Sequence, residues 1–142
     1  MCEGRIVARG SEAFAHALAT ATQVMRHTGR ATAANEMHEA LRDISRRPTA
    51  DATGAIQHAI AALECVARDV LGQPTKTLGQ VASDLGLPRP MDSALDLEKL
   101  WGFASEQGRH LREGWQARFE DAELVVTVAS AVSVYLIRAS KA

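Results

Sequence analysis

The chain has 142 residues, a formal net charge of −1, and 46% hydrophobic but only 4% aromatic residues. This length predicts one domain that buries a single core without staples, and the near-zero net charge excludes a global field that would attract nucleic acid. Abundant alanine, with few of the residues that favour strands, predicts an all-α fold. Cys2 and Cys65 match no metal-binding spacing, which indicates a reduced, cytoplasmic protein.

Residues 1–10 are predicted to be irregular, and residues 11–142 to form one helical domain. The first helix is expected to begin at an N-cap on Ser11 and to stop at Gly29, because apolar residues recur between them at spacings of three and four. Its predicted buried face consists of Phe14, Leu18, Ala21 and Met25.

Two further helices follow. The second is predicted from Thr32 to Arg46, before Pro48. Its apolar face carries Met37, Leu41 and Ile44, and its polar face carries Glu39, Arg42 and Asp43. The third is capped by Asp51 or Thr53 and stops at Gly72. Its stripe of Ile56, Ile60, Leu63, Ala67 and Leu71 makes it the clearest amphipathic segment.

The second half of the chain is predicted to hold three more helical segments. Thr77 caps a short helix that reaches Ala82, and residues 86–90 form a stiff connector. A longer helix opens at Asp92 or Ser93 and ends near Gly108. The last segment has acidic residues at its start and basic residues at its end, which favours a helix over a strand despite its many valines.

No signal peptide is expected, because the first residues lack an apolar region. The longest apolar run, Leu124 to Ile137, is about 14 residues, shorter than the roughly 20 that a membrane helix needs. We therefore predict a buried helix in a soluble protein that does not bind a membrane.

The segment Gly108–Gly114 carries a dense group of ionisable side chains between two apolar segments. Metal-free RNA cleavage needs a base, an acid and a cation that stabilises the phosphorane. His110 could transfer protons and Arg109 or Arg112 could hold the phosphate, if a turn at Gly108 brings them together. The alternative is a solvated helix end, in which Arg109 pairs with Glu113.

Glu64 lies beside Leu63 in the most apolar helix. A carboxylate near a core usually has a partner, so Glu64 could orient His110 or pair with Arg109, or it could flank the stripe and reach solvent. The other histidines suggest no metal site. His16 and His27 would lie about 16 Å apart along one helix, and His58 is interpreted as a structural or surface residue. No motif for a cofactor is present.

Four pieces of the chain resemble abortive-infection-type (Abi-like) domains of the HEPN superfamily. The run Gly54–Arg68 is similar to the central helix of that group, and the other pieces follow in the same order. They are Thr77–Gly79, Leu100–Ser105 followed by Arg109-His110, and Glu120–Val126. The resemblance covers roughly Ala31 to Lys141.

The resemblance implies a HEPN-like bundle of about five to six helices that often dimerises. Many relatives are metal-independent ribonucleases of phage defence, toxin–antitoxin systems or RNA processing, and others are inactive and serve as binding or dimerisation modules. It implies a catalytic set of Arg109, His110 and Glu64. We add Arg112, Glu113 and Trp101 as the predicted substrate-binding residues.

The chain departs from the active pattern, in which a histidine follows the arginine after four to six residues. No histidine follows Arg109 or Arg112 at that spacing, and the only literal match runs from Arg9 to His16. The leading hypothesis is a homodimer that acts in bacterial defence or stress response by metal-free cleavage of RNA through Arg109 and His110, with an antitoxin or other defence protein as a second partner. The alternative is a non-catalytic module for dimerisation, partner docking or RNA binding, which should show an exposed apolar patch.

Overall fold

The described part of the chain is helical, which confirms the all-α prediction. The computed structural model describes residues 11–87, 96, 99–103 and 117–140, and these ranges contain no strand. Residues 99–103 are helical. The other helices are α1 (Glu12–His27), α2 (Ala31–Ile44), α3 (Ala52–Leu71), α4 (Leu78–Val81) and α5 (Phe119–Ala139). The helix α4 is a single turn, and a 3-10 turn (Ala82–Leu85) follows it.

The ends of α1 and its buried face are those predicted. The Ser11 hydroxyl accepts a hydrogen bond from the Phe14 amide at 3.1 Å, which satisfies one of the free amides of the first turn. Gly29, with φ of 76°, follows the last turn in a left-handed conformation that favours glycine. The buried residues of α1 are Phe14, Leu18, Ala21 and Met25.

The limits of α3 are also confirmed. Of the two predicted caps, Asp51 is the one used, because its Oδ1 accepts from the Gly54 amide at 2.9 Å. Gly72, with φ of 64°, ends the helix. In the predicted stripe Ile56, Ile60, Leu63 and Ala67 are buried, and Leu71 is half-buried.

One prediction for α2 was wrong. Asp43 was placed on the polar face, but it is only 3% exposed. The start of α3 covers it, because the Asp51 amide donates to the Asp43 carbonyl at 2.8 Å. The helix also ends at Ile44 rather than at Arg46. Thr77 caps α4 as predicted, since its hydroxyl accepts from the Gln80 amide at 3.3 Å.

The core lies around α3, which packs against α2 on one side and α5 on the other, while α1 also contacts both α2 and α5. Buried alanines on α3 and α5 let these helices approach closely. Ser130 of α5 is fully buried and donates to the Met37 sulfur of α2 at 3.6 Å. The last segment is therefore a core helix, as predicted.

Within the described residues, one helix is long and apolar enough by composition to cross a bilayer, and that helix is α5. Half of its most apolar window is buried inside the domain. The core helix of a globular domain has the same composition, so the burial favours a place in the core over a membrane span. The predicted start near Asp92 and end near Gly108 of the preceding helix lie outside the described residues.

Candidate functional site

Four of the six predicted site residues, Arg109, His110, Arg112 and Glu113, lie outside the described residues. The other two are described. Trp101 is half-buried and packs against the hydrophobic core together with Leu100 and Phe103. Glu64 lies on the fourth turn of α3, near the end of that helix that leads to α4.

Glu64 has a partner on its own helix. Its side chain is 18% exposed, and its Oε1 lies 2.7 Å from Nη2 of Arg68, one turn later. Arg68 in turn donates from Nε to the Lys76 carbonyl, so this ion pair also holds the connection from α3 to α4. Arg68 is a partner that none of the sequence alternatives for Glu64 included, and the two other residues of those alternatives, Arg109 and His110, lie outside the described residues.

A second ionisable cluster, which the sequence did not reveal, joins α2 to α3. His58 of α3 lies between two carboxylates of α2. Its Nδ1 is 2.7 Å from Glu36 Oε2, and its Nε2 is 3.5 Å from Asp43 Oδ2. Glu36 and Asp43 are seven residues apart, so they share one face of α2. His58 thus links the two helices through contacts with both carboxylates, which agrees with its interpretation as a structural or surface residue.

Asp43 is the buried member of this cluster. Burial raises the pKa of its carboxyl, as does the nearby Asp51 carboxylate, while His58 and Arg46 act in the opposite direction. Gly54 makes room for both carboxylates. A Cβ there would lie 2.7 Å from Asp43 Oδ2 and closer still to the Asp51 carboxylate. Three carboxylates and one imidazole nevertheless form no group that could hold a metal ion in the described part of the chain.

A shallow cleft of about 300 Å³ lies where the connection from α1 to α2 meets α3. Residues 29–33 line it with Cys65 and Asp69. The Arg30 Nε lies 2.8 Å from Asp69 Oδ2 and closes one side. Burial raises the pKa of the Cys65 thiol, which therefore stays protonated and is a poor nucleophile. The cleft lacks an activated group among its described residues.

The outer side of α5 carries apolar residues that the domain does not bury. Leu124 is 65% exposed and Tyr135 is 40% exposed. Ala131 is exposed between them, and Val128 is half-buried. At 100° per residue these four side chains lie within about 60° of one another around the helix. We call this surface, made of Leu124, Val128, Ala131 and Tyr135, the α5 face.

Charged residues lie at both ends of the α5 face. Glu120 is one turn before Leu124, near the helix start, and Arg138 is three residues after Tyr135, near the helix end. Both are exposed. Their signs suit the helix macrodipole, which stabilises anions at the N-terminus and cations at the C-terminus. The apolar stripe is therefore bounded by a negative end and a positive end.

The sequence did not predict the α5 face, because the valines of this segment bear on helix against strand and do not separate the sides of the helix. The spacing of four, three and four residues from Leu124 to Tyr135 was the available signal.

Comparisons with protein-family models, with curated proteins and with solved structures gave no match to this chain.

Proposed function

We propose that this domain is a non-catalytic interaction module that binds a protein partner through the α5 face. The observation that carries the proposal is the exposure of Leu124 and Tyr135 on a helix whose opposite side forms the core. Single exposed apolar residues are ordinary on soluble proteins. A continuous apolar stripe with charged ends is typical of a docking surface.

The chemistry of the α5 face favours a protein over RNA as the partner. RNA is bound through cationic side chains that neutralise phosphates, and through aromatic residues on which bases stack. The α5 face itself holds one aromatic residue, Tyr135. Among the described residues at its two ends, the cations Arg118 and Arg138 are outnumbered by three carboxylates, Glu120, Asp121 and Glu123. The chain as a whole carries a net charge of −1. We place this module in the cytoplasm, where a reduced Cys65 is stable.

Site-specific photo-cross-linking in cells of the native host tests the proposal. A photoreactive residue at position 135 should give a discrete adduct of higher mass, whereas the same residue at the exposed position Gln57 of α3 should not. Leu124→Ser, about three turns before the probe on the same α5 face, should abolish the adduct. Equal cross-linking from both positions, or none from position 135, would refute an interaction through the α5 face.

A metal-independent ribonuclease of the HEPN type is the second candidate. The observation that favours it is Glu64, a carboxylate that is mostly buried and held by Arg68, at the position that the resemblance assigns to the acidic residue. Purified protein would then cleave RNA in the presence of a chelator. Cleavage should disappear in both Arg109→Ala and His110→Ala, and a folded protein that cleaves no RNA would remove this candidate.

A further inference from the structure

We propose that the partner of the α5 face is the α5 face of a second copy of this chain, bound antiparallel. This inference rests on the proposed interaction function and names its partner. The spacing of Leu124, Val128, Ala131 and Tyr135 is four, three and four residues, which is the seven-residue pattern of helices that pair along their length. The stripe extends about 16 Å along the helix.

The charges select the antiparallel orientation. In an antiparallel pair related by a twofold axis between Ala129 and Ser130, Leu124 lies opposite Tyr135 of the other copy and Val128 lies opposite Ala131 of the other copy. Glu120 of each copy then lies beside Arg138 of its neighbour, at both ends of the stripe. A parallel pair would place Glu120 against Glu120 and Arg138 against Arg138. Antiparallel macrodipoles also attract each other.

The side chains also fit such a pair. Tyr135 is the largest residue of the α5 face and meets Leu124, while the small Ala131 meets the β-branched Val128. A small residue opposite a larger one near the twofold axis lets the two helices approach closely. The hydroxyl of Tyr135 lies at the edge of the stripe, where water can satisfy it.

A membrane surface fits the α5 face less well than a second copy does. Helices that lie on membranes carry lysine and arginine on their polar side. Among the described residues beside Leu124, three carboxylates, Glu120, Asp121 and Glu123, outnumber the N-cap cation Arg118, and anionic headgroups would be repelled by this net negative charge. The opposite side of α5 is committed to the core, so the helix cannot sink into the bilayer without unfolding the domain.

The size of the α5 face predicts a weak dimer. Stable complexes bury about 1,600 Å² in total, and four side chains of moderate size on each copy cover clearly less. We expect a dissociation constant on the order of micromolar or weaker, so that the full chain changes from monomer to dimer within the concentrations reached by analytical ultracentrifugation.

Sedimentation equilibrium of the full chain tests the self-association. Leu124→Ser should weaken the dimer about tenfold or more, because the twofold symmetry removes two buried leucines at once. Gln57→Ser on the exposed side of α3 is the matched control and should have no effect. Glu120→Arg and Arg138→Glu should each weaken the dimer several-fold, and the double variant should restore it, because the ion pairs are then re-formed with exchanged signs.

Cysteine cross-linking tests the orientation, in a background of Cys2→Ser and Cys65→Ala. A short bismaleimide should join Leu124→Cys to Tyr135→Cys only when the two variants are mixed. Neither should cross-link alone, because the two copies of either position lie about 16 Å apart along the axis in an antiparallel pair. Efficient cross-linking of Leu124→Cys with itself would overturn the antiparallel arrangement.

The outcomes separate this inference from the function on which it rests. If the photo-cross-linked adduct has twice the 15.2 kDa mass of the chain, both stand. If the adduct has another mass and the chain sediments as a monomer at all concentrations, the α5 face binds a different protein, and the second copy is refuted. Binding of the monomer to vesicles of phosphatidylcholine and phosphatidylglycerol, lost in Leu124→Ser, would refute both.

Discussion

Gly54→Ala should destabilise the domain, although helix propensity predicts the opposite. Alanine is favoured over glycine by up to about 1 kcal/mol in a helix. At Gly54 the added Cβ would meet the Asp51 and Asp43 carboxylates, the nearer of which caps α3. Both carboxylates must move, and neither can move far because an aspartate side chain is short.

The expected magnitude follows from what these two carboxylates do. Loss of an N-cap costs about 1 kcal/mol. Displacing the buried Asp43 from its contacts with His58 and Arg46 costs about 1–3 kcal/mol. The higher helix propensity of alanine offsets at most about 1 kcal/mol of these costs. The expected net loss in the free energy of unfolding is therefore about 1–3 kcal/mol.

Urea unfolding at neutral pH, followed by circular dichroism, measures this loss. Gly102→Ala is the matched control, because Gly102 lies in the helical residues 99–103 and a Cβ there meets nothing within 4 Å. It should be neutral or stabilise by up to about 1 kcal/mol. In the Gly54→Ala background, Asp51→Ser should recover stability, because a serine cap is smaller. Equal effects of Gly54→Ala and Gly102→Ala would refute the steric reasoning.

Three further predictions follow. Burial raises the pKa of Asp43, so the folded state favours the protonated carboxyl. The stability that this protonation contributes is full below the unfolded pKa of 3.8 and is lost as pH rises through the folded pKa. Asp43→Asn should therefore gain stability relative to wild type as pH rises from below 3.8 through the folded pKa in urea titrations, whereas a constant difference would contradict this. Arg68→Met should lower the free energy of unfolding by about 1–3 kcal/mol, because the ion pair between Arg68 and Glu64 and the hydrogen bond to the Lys76 carbonyl are both lost; an unchanged urea midpoint would show that this pair contributes nothing. Leu63→Ala should cost about 2–5 kcal/mol, whereas Leu124→Ala should cost less than about 0.5 kcal/mol, and similar losses would contradict the assignment of Leu124 to the surface.

The helices were predictable where local chemistry alone defines them. Ser11 and Asp51 satisfy amides three residues later, and Gly72 ends α3 in a left-handed conformation. Each signal involves neighbours in the sequence, so its physical cause is present before any tertiary contact forms. The apolar stripe of α3 was equally visible because the domain surrounds that helix on several sides.

The ionisable clusters were not predictable in this way. His58 and Glu36 are 22 residues apart, and no local pattern links them. Asp43 looked like a surface residue because its type is rarely buried without a partner. Its partners include His58 of a different helix, so its burial depends on how α2 and α3 pack. Glu64 was identified as a residue that needs a partner, but Arg68 was not considered for that role.

The α5 face lies between these two cases. A helix that is apolar on all sides is expected to be buried on all sides, so the sequence of α5 does not separate the valines of the core from the residues outside it. The fold makes that separation, since Val125 and Val126 are buried while Leu124 beside them is 65% exposed. The domain thus leaves one side of an otherwise apolar helix in water. An exposed leucine alone would need no explanation. A leucine and a tyrosine eleven residues apart, joined by Val128 and Ala131 and bounded by opposite charges, form a surface that its own antiparallel copy complements at both ends.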